Sequence, residues 1–131
     1  MTGHFHAVVW LDHHEAKIFH FSITDVERAL VRAGDPHLHI HHKANSTGSG
    51  HAPVDGEYFQ RVAEAVADAG AVLITGPSSA KTEFLTYVTT HDPPLMKRIS
   101  GVQALDHPKD GALLALAREY FKADDRMHPQ R

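Results

Sequence analysis

The sequence predicts a single mixed α/β layer domain, a five-stranded sheet with packed helices in the order β-β-β-α-β-α-β-α. Three observations carry that reading. The first third of the chain is rich in β-branched and aromatic residues and alternates apolar with polar positions. The second half switches to helical spacing, broken by short continuous apolar runs. A length of 131 residues at 42% hydrophobic and 22% charged suits one core and no more.

The elements follow in order. Residues 5–12 (FHAVVWLD) and 15–22 (EAKIFHFS) form two strands joined by a polar turn at Asp12, His13 and His14, which is a hairpin. In the second strand Ala16, Ile18, Phe19 and Phe21 do not fall on one face, so it is expected to be buried on two sides or bulged. A third strand covers 26–32 and closes at Gly34-Asp35-Pro36. A long exposed loop then spans 34–56. From 57 to 69, Tyr58, Phe59, Val62, Ala63 and Val66 give an apolar stripe at helical spacing, with Asp55 as N-cap and Gly70 as terminator. The run 71–76 (AVLITG) reads as a strand buried on both faces. A helix opens at Pro77, Ser78 and Ser79, carries Phe84, Leu85 and Val88 inward, and stops at Asp92-Pro93-Pro94. A helical turn over 95–98, a last strand over 101–105 and a helix over 110–123 complete the domain, which is expected to span 1–125 with a flexible tail at 126–131.

Composition narrows function. A formal net charge of -3 with neutral histidine gives no global basic field, so nucleic-acid binding would need a local patch. There are no cysteines, which excludes disulfides, thiolate metal sites and a cysteine nucleophile. No apolar run is long enough to span a bilayer and the N-terminus lacks a signal-peptide pattern, so no membrane partner and a cytoplasmic location are expected.

Residues 37–51 (HLHIHHKANSTGSGH) hold five of the thirteen histidines and a Gly-Ser-Gly tip. Such a loop, carried between patterned elements, is where function is commonly presented. Gly48 and Gly50 permit close backbone approach. Asn45, Ser46, Thr47 and Ser49 offer hydrogen bonds, and Lys43 with His51 and its neighbours could meet phosphates. That set suits docking on RNA; the same composition also suits a solvated loop, and no aromatic residue is present for base stacking. His37, His39 and His41, spaced by two, would place three imidazoles on one side of an extended chain and could hold a divalent metal such as zinc or nickel. No Asp or Glu lies within 37–43 to orient such a site, and no cofactor is otherwise required.

The segment 74–84 (ITGPSSAKTEF) leads a strand into a helix. Gly76, Ser78, Ser79 and Lys81 superficially match a phosphate loop, but the second glycine before lysine is missing and Pro77 removes a donor, so helix capping by Ser78 or Ser79 is the simpler reading. With this motif and the element order, the chain resembles the middle domain of eukaryotic and archaeal peptide-chain release factors, of Pelota, and of their bacterial relatives called translational machinery proteins. The resemblance runs from Ala7 to Phe121. It implies a ribonuclease H-like fold and a ribosome or RNA partner.

In release factors the loop before the first helix carries Gly-Gly-Gln. Here the corresponding residues are Asn45-Ser46-Thr47-Gly48-Ser49-Gly50-His51, with no glutamine, so termination-type hydrolysis is not implied. Pelota-like proteins also lack that motif and act on ribosomes. The expectation is therefore a ribosome- or RNA-associated accessory factor of translation, with two alternatives. One is a histidine-rich metal-binding protein or metal-dependent hydrolase. The other is a structural module, a homo-oligomer in which Trp10 and the alternating strands supply a sheet edge. Asp12, His13, His14, Asp106 and His107 lie at strand ends where α/β sheets bind ligands, and Asp12, Glu15 and Asp106 could gather around a metal, although all also read as turn residues. No Gly-x-Ser-x-Gly elbow supports a serine nucleophile.

Overall fold

A computed structural model of the chain describes residues 5–34 and 56–127. Five strands, β1 (His6–Leu11), β2 (Glu15–Phe21), β3 (Val26–Arg32), β4 (Ala71–Gly76) and β5 (Ile99–Ala104), form one sheet in the order β3-β2-β1-β4-β5. Strands β1, β4 and β5 run parallel, while β2 is antiparallel to both β1 and β3. Helices α1 (Gly56–Ala65), α2 (Ala80–His91) and α3 (Pro93–Met96) cover one face, and α4 (Asp110–Met127) covers the other.

Alternation divides the core. On one face Ala7, Val9 and Leu11 of β1, Ile18 of β2 and Ile74 of β4 meet Tyr58, Phe59, Val62, Phe84 and Val88. On the other, Val8, Trp10, Phe19, Phe21 and Leu73 meet Leu113, Ala117 and Phe121. The continuous apolar runs of β1 and β4 therefore reflect helices on both sides. The one fully buried polar side chain among the described residues, Thr75, donates to the Val9 carbonyl at 3.0 Å and so stays satisfied. At the start of α4, Asp110 ties the helix to β2 and β3 through Lys17 at 3.4 Å and Arg28 at 3.0 Å.

The fold class, the order of elements and the bounds of β3 and β4 are as read from the sequence. Strand β2 is two-sided and regularly paired; the register shift of the sheet lies instead at Val72 and Leu73, against β5. Helix α1 ends at Ala65, earlier than its apolar stripe suggests, because hydrogen-bonded turns continue the coil through Ala69. Gly70 is thus no helix terminator. Its N–H and that of Ala71 both donate to the Phe5 carbonyl, at 2.7 and 3.1 Å, and a side chain there would collide with the Phe5 ring. Strand β5 begins at Ile99 rather than 101, and α4 extends to Met127, through Arg126, which the sequence placed in the tail.

One placement is corrected. Trp10 is not at a sheet edge: it is buried on central β1, and the edges are β3 and β5. Half-buried His6 packs its ring 4.4 Å from that of Phe121.

Candidate functional site

Parallel β1, β4 and β5 bring their C-terminal ends to one edge of the sheet. From that edge the chain leaves β1 toward β2 on one side and leaves β4 toward β5 on the other, so the junction of β1 and β4 is a topological switch point. Gly76 makes the junction close: its φ is +156° and a Cβ would meet the Leu11 carbonyl oxygen. Its own carbonyl accepts from Leu105 N–H at 2.9 Å, which draws in the end of β5.

Three turns converge there. In the β1–β2 turn the Asp12 carboxylate accepts from the N–H groups of His14 (2.8 Å) and Glu15 (2.9 Å), an Asx turn that fixes where His13 projects. His13 Nε2 then lies 3.1 Å from Glu83 Oε1 in the first turn of α2, and the imidazole must be the donor because the ionised carboxylate only accepts. The other Glu83 oxygen accepts from Ser79 Oγ at 3.0 Å. After β5, Trp10 Nε1 donates to the carbonyls of Leu105 (3.2 Å) and Asp106 (2.7 Å), and the His107 ring lies 4.8 Å from the indole. His107 Nε2 stands 3.9 Å from Asp12 Oδ2; its side chain is 70% exposed.

Tyr58 locks α1 to the same edge. Its buried hydroxyl donates to the Asp12 carbonyl at 2.9 Å. Burial, and secondarily the charges of Asp12 and Glu15, push this phenol well above the ordinary tyrosine range. The folded state therefore holds the proton more tightly than the unfolded chain. That contribution is complete below the unfolded value of 10.0 and is lost as pH rises beyond it. Urea titrations should show wild type losing stability faster than Tyr58→Phe above pH 10, with a slope difference approaching about 1.4 kcal/mol per pH unit. Near neutral pH, Tyr58→Phe should cost about 1 kcal/mol for the lost hydrogen bond. Parallel profiles above pH 10 would contradict this account of Tyr58.

Chemically, the edge presents two imidazole–carboxylate pairs, His13 with Glu83 and His107 with Asp12, beside the Ser78 and Ser79 hydroxyls. It is not a serine triad, because the Glu83 carboxylate sits between serine and histidine and the imidazole is not the group that Ser79 Oγ donates to. Nor do Asp12, Glu15 and Asp106 form a metal centre. Among the described residues no three such side chains converge; the Asp106 side chain is 96% exposed and Glu15 turns to Arg32 at 3.8 Å. What remains is a polar recognition edge.

Gly76 ends β4, and Ser78 and Ser79 precede α2. Ser79 occupies the N-cap position of α2 but spends its hydroxyl on Glu83, and the nearest side-chain cap is Ser78 Oγ, 3.5 Å from Ala80 N–H. Lys81 Nζ donates to the Ser78 carbonyl at 2.7 Å, folding the cation onto its own helix entry. Lys43, Asn45, Ser46, Thr47, Gly48, Ser49, Gly50 and His51, and the metal candidates His37, His39 and His41, lie outside the described residues. Their flanks do not: Ala33 N–H donates to His14 O at 2.9 Å, and α1 begins at Gly56, two residues before the Tyr58 anchor. Both flanks of that segment stand at this edge. The sequence marks Tyr58 only as an apolar helix position and does not mark Glu83 at all, since their partners lie 46 and 70 positions away.

The fold and this edge define a class, an α/β domain with a polar site where its parallel strands end. Solved structures share this fold. Pelota of Archaeoglobus fulgidus matches with a TM-score of 0.62 and 15% identity over 90% of this chain and 32% of that one. Pelota of Thermoplasma acidophilum matches at 0.58 and 19%, over 85% and 31%. The archaeal translation termination factor aRF1 matches at 0.55 and 16%, over 93% and 38%. This chain thus spans about a third of each, and the likeness is one of fold. No protein-family model matches the sequence, and no curated protein does. Among the described residues no helix is long and apolar enough to cross a membrane.

Proposed function

We propose that this protein is a ribosome- or RNA-associated accessory factor of translation that docks through residues 43–51 and the adjoining edge at His13 and His107. The observation that supports this reading is the fold shared with Pelota and aRF1. The chemistry of the loop agrees with it. Lys43 supplies a fixed positive charge, Asn45, Ser46, Thr47 and Ser49 supply hydrogen bonds, and Gly48 and Gly50 allow the backbone to come close to phosphates. His13 and His107 at the described edge add imidazole donors. Residues 45–51 carry no Gly-Gly-Gln, so the role we propose is docking.

Substituting Lys43, His41 and His42 together by alanine should weaken binding to purified ribosomes about tenfold or more, with the circular dichroism spectrum unchanged, since each phosphate contact adds to affinity. Equal binding by the folded triple variant would overturn the loop assignment.

A further inference from the structure

Strand β3 ends the sheet with no strand paired on its outer side among the described residues. Which main-chain groups point outward follows from two hydrogen bonds that frame its pairing with β2: Ala33 N–H to His14 O and Ser22 N–H to Asp25 O, both 2.9 Å. They make the odd-numbered residues of β3 the hydrogen-bonded partners of β2, so the N–H and C=O groups of Val26, Arg28, Leu30 and Arg32 face away from it. Arg61 confirms the direction by donating to the Arg32 carbonyl from outside the sheet, at 2.9 Å. The side chains of Val26 and Leu30 are 42% and 47% exposed on the α4 face.

We propose that this edge pairs with β3 of a second copy, antiparallel about a two-fold axis at Ala29, joining the two sheets. The register is selected by charge. Centred on Ala29, the hydrogen-bonded pairs set Arg28 opposite Leu30 and Val26 opposite Arg32, so each exposed aliphatic side chain lies beneath an arginine stem. The two Ala29 residues face each other at the close, non-hydrogen-bonded position, where a small side chain fits. Moving the axis to Arg28 would set Arg28 against itself, and moving it to Leu30 would set Arg28 against Arg32; both oppose like charges. The arginines that ordinarily discourage edge pairing thus discriminate between registers here. Arg28 keeps its bond to Asp110, which lies on its own chain.

Sedimentation equilibrium of the full chain, of Leu30→Glu and of Leu30→Lys tests the proposal. The wild type should approach twice its 14.5 kDa with rising concentration. Leu30→Glu places a carboxylate opposite Arg28 twice per dimer and Leu30→Lys places an ammonium there, so the first should associate at least about fivefold more tightly than the second. Both substitutions are at an exposed position, and circular dichroism checks that each folds. A wild type and a Leu30→Glu variant that both remain at monomer mass to about 1 mM would overturn the proposal. So would equal association by the two charge variants.

Discussion

Replacing Trp10 with alanine is expected to remove about 3–5 kcal/mol of stability, most of what a domain of this size has. The side chain is 2% exposed on the central strand, among Val8, Phe19, Leu73, Leu113 and Ala117, and its truncation opens a cavity that backbone hydrogen bonds on both sides of β1 prevent from closing. The loss is more than volume. Trp10 Nε1–H is the donor for the Leu105 and Asp106 carbonyls, so its removal also frees the turn that carries His107. Trp10→Phe separates the terms: it keeps most of the apolar bulk and should cost about 1–3 kcal/mol, chiefly for the carbonyls left without a donor. Urea unfolding followed by circular dichroism is the appropriate readout, because this is the chain's only tryptophan. A loss below about 1 kcal/mol for Trp10→Ala would contradict its placement in the core.

Gly76→Ala should be nearly as damaging for a different reason. The added methyl meets the Leu11 carbonyl, a main-chain group that points from β1 toward β4, and the φ of +156° already disfavours a side chain. A loss of about 2–3 kcal/mol is expected, with the junction of β1 and β4 forced apart. Gly111→Ala is the control. That glycine lies near the start of α4 with nothing within 4 Å of the position a Cβ would take, so alanine there should be neutral or stabilise by up to about 1 kcal/mol. Equal effects from the two substitutions, read as shifts in the urea midpoint, would show that close approach is not what requires Gly76.

What the sequence made legible follows from the range of the interactions involved. Strands β3 and β4 were bounded correctly because turn residues and a continuous apolar run mark their ends locally. Gly70 misled because a glycine after an apolar helical stripe usually terminates the helix, whereas here the Phe5 ring from the start of the chain dictates it. As one alternative, the alternating strands suggest that Trp10 supplies a sheet edge. Its central position depends on β4 returning parallel to β1 after three intervening elements, which no local pattern records.

The candidate site shows the same division. Asp12, His13 and His107 could be suspected from their place at strand ends, and Ser79 from its place at a helix start. That Ser79 serves Glu83, and that Glu83 in turn accepts from His13, required the geometry of the folded sheet.

Docking of residues 43–51 on the ribosome is the central step of the proposed function. Untagged protein should be co-sedimented with purified ribosomes across a salt series, wild type beside a variant in which residues 43–51 are replaced by a Gly/Ser linker. Wild type should pellet at low salt and be released steeply as salt rises, with the linker variant folded but left in the supernatant. Equal pelleting of the two proteins, or no pelleting of wild type at low salt, would contradict the proposed function and leave the likeness to Pelota and aRF1 as one of fold alone.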